Sequence, residues 1–270
     1  MKKILASLGL SLIVANGLFA DSLMMATTTS TEDTGLLDYL APQFEKETGT
    51  TLKWVSTGTG KALKMGENCD VDVLLVHAPE AEKKFVEAGF GVDRNEVMYN
   101  DFVIIGPKND PAKVSGKTTA EAFKTIKEKN ANFLSRGDNS GTHQKELSMW
   151  EKVSKIVPEK DTWYIQTGQG MIATINMAAE KGGYTLTDRG TWIKYESQKG
   201  DSNNMKIVVE NDNILFNQYS VITVNKDRCP NVKTQLSKDF TNWMLKAETQ
   251  KFIGDFKLLD KPLFTPNAKK

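Results

Sequence analysis

Residues 131–153 read ANFLSRGDNSGTHQKELSMWEKV: a short strand-like run, a turn and a helix-like run in direct succession. Gly137, Asp138 and Asn139 are turn formers, and Ser140 stands where a helix N-cap belongs. A strand feeding a helix through so tight a turn is one half of a βαβ unit. The rhythm continues outward in both directions. TLKWVST (51–57), VDVLLVHA (71–78), DFVIIGP (101–107), TWYIQT (162–167), KIVVE (206–210) and YSVITVN (219–225) read as further strands. VDVLLVHA and YSVITVN are rich in β-branched residues, which fits burial on both faces.

Helical patterns lie between these runs. Residues 35–48 put Leu36, Leu37, Leu40 and Phe44 on one face, with Pro42 expected to kink or restart the helix. AEKKFVEAG (81–89) ends in glycine, TTAEAFKTIKEKN (118–130) opens with Thr119 as its expected cap, and GMIATINMAAEKGG (170–183) carries an apolar stripe. One or two helices fill 231–256, with Phe240, Trp243, Met244, Phe252 and Ile253 as core. The alternation predicts an α/β fold with mostly parallel sheets, as one sheet or two lobes. There is no Pro/Gly/Ser-rich linker and no internal repeat. A two-lobed chain must therefore cross on ordered strands, for which DFVIIGP and YSVITVN are the candidates.

Composition narrows the function. The 270 residues carry a net charge of +1, which excludes the basic footprint of a nucleic-acid binder. Residues 1–20 have the positive start, apolar stretch and small-residue end of a cleavable signal peptide, predicting an exported protein free in the periplasm. Loss of Lys2 and Lys3 with it leaves the mature chain near −1. Cys69 and Cys229 are predicted to bridge, as an exported protein permits; two free thiols are the alternative. Their spacing is no zinc signature, and the two histidines and scattered carboxylates show no metal-ligand spacing.

Several strand-to-helix turns are rich in hydrogen-bond donors. ATTTSTEDTGLLDYL (26–40) sets five hydroxyl residues, Thr27 to Thr31, before a helix that needs one cap. WVSTGTGKAL (54–63) interleaves Ser56, Thr57 and Thr59 with glycines. It is no nucleotide P-loop, because Val55 occupies the first glycine position and Ala62 follows the lysine. SRGDNSGTH adds Arg136, a planar fork of donors, ahead of Ser140, Gly141 and Thr142, with Asp138 expected to brace the arginine. His77 ends a buried-looking strand, either as a donor or as a satisfied loop residue. TGQGM (167–171) offers backbone amides around Gly170. Helix N-termini favour anions, and in open α/β sheets such turns converge beyond the strand ends. The pooled donors with few acceptors suit an oxyanion that carries no proton: sulfate, molybdate or tungstate rather than phosphate. Two rivals of other classes compete. A secreted serine hydrolase would use Ser140, although GDNSG is not G-x-S-x-G and only His143 is near as a base. An adhesion protein would use Arg136-Gly137-Asp138.

TTTST after a signal peptide, DVDVLLVHAPEAE, SRGDNSGTH followed by Glu146, and TGQGMIATINMAAEKGGYTLTDRGTW together resemble the extracytoplasmic tungstate-binding proteins of ABC importers. The resemblance spans most of the mature chain. Phosphate binders share an R-x-x-x-S-G-T pattern but usually carry an aspartate where this chain has His77-Ala78. The resemblance implies a type II-like two-lobed periplasmic binding fold hinged on two crossing strands. Lobe one would be 21–103 with 222–270, and lobe two 104–221. It also implies a monomer that is not an enzyme and needs no cofactor. Tungstate would be its cargo, a permease and an ATPase its partners. The implied contacts are Thr29, Ser30, Thr59, Arg136, Ser140, Gly141 and Thr142, with His77 and Gly170 at the margin.

Overall fold

The computed structural model describes residues 21–155 and 157–269; the signal-peptide reading of 1–20 lies outside the described residues. The chain opens with β1 (Ser22–Thr28), the short helix α1 (Thr29–Glu32) and α2 (Leu36–Thr48). It continues through β2 (Thr51–Thr57), α3 (Thr59–Glu67), β3 (Val73–Val76) and α4 (Pro79–Glu87). A long strand, β4 (Gly91–Pro107), leads to α5 (Thr119–Glu128), β5 (Phe133–Ser135), α6 (Gly141–Ser154), β6 (Tyr164–Gln166) and α7 (Met171–Lys181). Next come β7 (Thr185–Asp188), α8 (Arg189–Lys199), β8 (Met205–Val209) and β9 (Phe216–Val224). The chain ends with α9 (Thr234–Leu245), α10 (Ala247–Asp255) and three two-residue strands, β10 (Lys257–Leu258), β11 (Lys261–Pro262) and β12 (Thr265–Pro266).

Two sheets share β4. The first has the order β12-β4-β9-β3-β1-β2. There β1 runs parallel to β2 and β3, whereas β9 runs antiparallel to β3 and β4. Between Asp101 and Phe102, β4 exchanges its partner β9 for β7, and farther along it pairs with β8, both antiparallel. β5 and β6 pair in parallel, and a bridge from Phe133 to Tyr184 ties β5 to this second group. The expectation of mostly parallel sheets is therefore corrected to mixed ones. The reason is topological. β4 and β9 belong to the passages between the two halves, so each sheet holds a strand running against those built by its own βαβ units. The return passage also precedes the expected YSVITVN run, because Asn217 already faces Asn100 in the first sheet.

Both faces of each sheet are covered, as alternation along the strands requires. Val73 and Leu75 pack with Leu36, Phe44, Phe240 and Trp243, while Leu74 and Val76 face Leu63, Phe85 and Ile222. In the second half Phe102 and Ile104 join Phe123, Phe133 and Trp150, while Val103 and Ile105 join Leu134, Ile175 and Trp192.

Three local expectations are revised. α2 continues through Pro42 unbroken. The carbonyl that Pro42 leaves without a donor belongs to Asp38, an exposed residue that water serves. The cap of α5 is Thr118, whose hydroxyl accepts from Glu121 N while the Glu121 carboxylate accepts from Thr118 N, a capping box that sets Thr119 inside the helix. β1 was not among the expected strands, since SLMMATT lacks the β-branched run of its neighbours; its central place comes from pairing on both sides. The predicted bridge is present. Cys69 and Cys229 form a disulfide across 160 residues, of a kind worth about 2–4 kcal/mol.

Candidate functional site

The parallel pairing of β1 with β3 brings their carboxyl ends side by side, so Thr28 meets His77. Thr28 caps α1: its Oγ1 accepts from Thr31 N and lies 2.6 Å from Thr31 Oγ1. His77 Nε2 is 3.0 Å from Thr28 Oγ1 and 3.1 Å from Ser30 Oγ. Its Nδ1 is 2.9 Å from Asn217 Oδ1, and its ring lies against Tyr219 at 4.7 Å between centroids. Burial holds the imidazole below its ordinary pKa, against the Asn217 bond and the field of Asp188, so His77 is neutral at pH 7. The turn behind it is braced by Glu82, which accepts from Ala78 N at 2.6 Å and from Arg94 Nε at 2.8 Å. Beside this group Thr59 begins α3, whose N-cap is Gly58, so no side chain caps the first-turn amides.

The second half contributes charge. β5 and β6 end together, and the turn after β5 uses two left-handed residues, Gly137 at φ 60° and Asn139 at φ 57°. That turn folds Asp138 back. Its Oδ2 accepts from Arg136 Nη2 at 2.5 Å and its Oδ1 from Ser140 N at 3.1 Å. Burial would raise the Asp138 pKa, but the Ser140 bonds and the guanidinium outweigh it and hold the carboxylate ionised. Arg136 Nε is buried and has no partner. Ser140 caps α6, accepting from His143 N at 3.3 Å. The His143 ring is committed elsewhere: its Nδ1 accepts from Asn139 N at 3.0 Å. Among the described residues no His143 ring bond reaches the Ser140 hydroxyl.

The two halves meet at the first residue of α6. A β-carbon on Gly141 would lie 3.5 Å from His77 Cε1 and 4.0 Å from Thr59 Oγ1. Ser30, Thr59, His77 and Gly141 therefore surround one point. Ser140 and Thr142 flank Gly141, and Arg136 is tied to them through Asp138. Two predicted residues stand apart. Thr29 is exposed on α1, and Gly170 is the exposed N-cap of α7 with open space around it. Ser56, in the second hydroxyl-rich turn, donates to Glu32.

The site also contains residues that the sequence reading missed. Thr28 belonged to the hydroxyl run but was not singled out. Asn217 and its partner Asn100 carried no local signal, being 140 and 23 residues from His77. A cavity of about 650 Å³ lies away from the site, between α8, β8 and β11, with Trp192, Met205 and Lys108 in its lining. The charges at its edge are largely paired internally, Arg189 with Glu210 and Lys261 with Glu196, and it holds none of the donor set.

Comparisons with known proteins identify the family. Residues 20–248 match the model of a PBP superfamily domain. The chain is 53% identical over 240 residues to the tungstate-binding protein TupA of Campylobacter jejuni, covering 89% of each. It is 47% identical over 254 residues to the protein of the same name from Peptoclostridium acidaminophilum, covering 92% of this chain and 87% of that one. The solved structure of TupA from Desulfovibrio alaskensis is 64% identical, with a TM-score of 0.89, covering 93% of this chain and all of that one.

Proposed function

The chain belongs to the PBP superfamily and, within it, to the tungstate-binding proteins, and from that premise we propose how it binds its ligand. It captures tungstate as an unprotonated dianion outside the cytoplasm and delivers it to the permease of an ABC importer, whose ATPase drives uptake. The observation that carries this reading is the buried Arg136 Nε, without a partner among the described residues, in the turn before α6, whose first residue Gly141 lies against His77 and Thr59 of the other half. Arg136 supplies charge-assisted bonds; Ser140, Gly141 and Thr142 supply first-turn donors of α6; Ser30 and Thr59 supply donors from the opposite side. Thr29, and more weakly His77 and Gly170, remain proposed contacts on the family resemblance.

We take lobe one as 21–101 with 216–269 and lobe two as 102–215, because β4 changes partner between Asp101 and Phe102 and β9 pairs within the first sheet from Phe216. The expected boundaries, 103/104 and 221/222, also lie within β4 and β9. Donors come from both lobes, so the anion stabilises the closed arrangement by its differential contacts. The mature protein acts as a periplasmic monomer and performs no catalysis; no helix among the described residues is long and apolar enough to cross a membrane. Molybdate or sulfate would fit the same donor set.

Titration calorimetry on ligand-stripped protein tests the reading. One-to-one binding that favours tungstate over molybdate, sulfate and phosphate is expected. No heat with any of the four would overturn it.

A further inference from the structure

Asn217 adds nothing to the donor set, yet it determines what His77 offers to the cleft. With the amides oriented as the hydrogen-bond network sets them, Asn217 Nδ2 donates to Asn100 Oδ1 at 2.8 Å and approaches Tyr219 OH at 3.4 Å. The Asn217 oxygen therefore faces His77 Nδ1 at 2.9 Å. An amide oxygen only accepts, so Nδ1 carries the proton. A neutral imidazole has one N–H, which leaves Nε2 as a bare lone pair. That lone pair points at Thr28 Oγ1 and Ser30 Oγ, at 3.0 and 3.1 Å, and one of their hydroxyls donates to it.

We propose that Asn217 is a positioning residue for the hydroxyls of the binding site. It locks His77 in the Nδ1–H tautomer, so that Nε2 accepts from Thr28 or Ser30 and fixes the direction of both hydroxyls. Asn100 and Asn217 face each other on paired strands at the crossing between the halves, so the lock is anchored in the hinge. The inference rests on the oxyanion-binding reading above.

His143 is an internal contrast. Asn139 N donates to its Nδ1, so its proton resides on Nε2. His77 and His143 are the 2 histidines of the chain, and they are expected in opposite tautomers. Long-range proton–nitrogen correlation spectra of the mature protein, labelled at histidine, read this directly, with His143→Gln assigning the signals. The expected spectrum at pH 7.5 has His77 as Nδ1–H and His143 as Nε2–H. Asn217→Leu removes the acceptor and should shift His77 toward Nε2–H. The same variant should lower tungstate affinity by about fivefold, because a donating Nε2 turns the Thr28 and Ser30 hydroxyls. Asn217→Ser, smaller and able to donate, serves if the leucine variant does not fold. A wild-type His77 that is Nε2–H or charged overturns the proposal. So does a variant that changes tautomer while tungstate affinity stays fixed. A wild-type protein that binds no tungstate but shows the expected spectrum would sink the functional reading instead.

Discussion

The two sides of the cleft are built by opposite means. The β1–β3 side is a neutral network in which Thr28, Ser30, His77, Asn217 and Asn100 satisfy one another and are fixed to paired strands. The β5–α6 side is a charged turn on left-handed backbone, in which Arg136 is only partly compensated by Asp138 and keeps a buried donor free. On the proposed reading, alignment and attraction are thereby divided. A saturated neutral network presents few groups in fixed directions, which suits discrimination. An incompletely paired guanidinium has interaction energy left for a ligand.

Changes on each side should break this division in different observables. The largest effect is expected from Glu82→Ala, which leaves the half-buried Arg94 with only its longer contact to Glu96 and frees the turn after His77. It should cost about 3–5 kcal/mol in a urea melt. A loss below 1 kcal/mol would show that the neutral side is not held from behind. Next is Arg136→Ala on the charged side. Its tungstate affinity should fall about 10- to 150-fold by calorimetry, the equivalent of about 1.5–3 kcal/mol, with thermal stability nearly unchanged. Unchanged affinity would remove the charged side from binding.

The third prediction uses pH. Burial raises Glu146, beneath the Arg136 turn, to about 7; its carboxylate accepts from Trp150 Nε1 and Tyr164 OH. The folded state therefore binds a proton more tightly than the unfolded one, which titrates near 4.5. The stability it contributes is present below pH 4.5 and lost as pH rises through 7, by at most about 3 kcal/mol. Glu146→Gln should flatten denaturant midpoints between pH 5 and 8, and an unaltered slope would refute the assignment. His77 has the opposite sign: its depressed pKa makes stability fall as pH drops below 6.5. The smallest effect is expected from Ser30→Ala, a neutral donor, with a few-fold loss of tungstate affinity. A loss as large as that of Arg136→Ala would erase the proposed division of labour.

The charged side was legible in the sequence because all its parts lie within eight residues. Gly137 and Asn139 announce left-handed backbone, Ser140 announces a cap, and Asp138 stands two residues from both the arginine it braces and the amide it accepts from. The neutral side was legible only as an excess of hydroxyls. Which of them meet His77 depends on the alignment of β1 with β3, a pairing across 48 residues, which brings Thr28 and Ser30 to its ring while Thr29 is exposed. Pro42 and Thr119 were misread for a related reason. Solvent tolerance of one lost helix bond and the choice between adjacent threonines as cap depend on surroundings that a local pattern does not contain.

By itself the sequence determined the alternation of strands and helices, the donor-rich turns, and the Arg136–Asp138–Ser140 cradle. Steric limits on φ and ψ, helix capping and side-chain reach all act over a few residues. The tertiary structure alone decided that β4 and β9 run against their neighbours, that Gly141 faces His77 and Thr59, and that an asparagine 140 residues away sets the proton of a histidine. A hydrogen bond's direction depends on where its partner is fixed in space, and only the closed sheets place those partners.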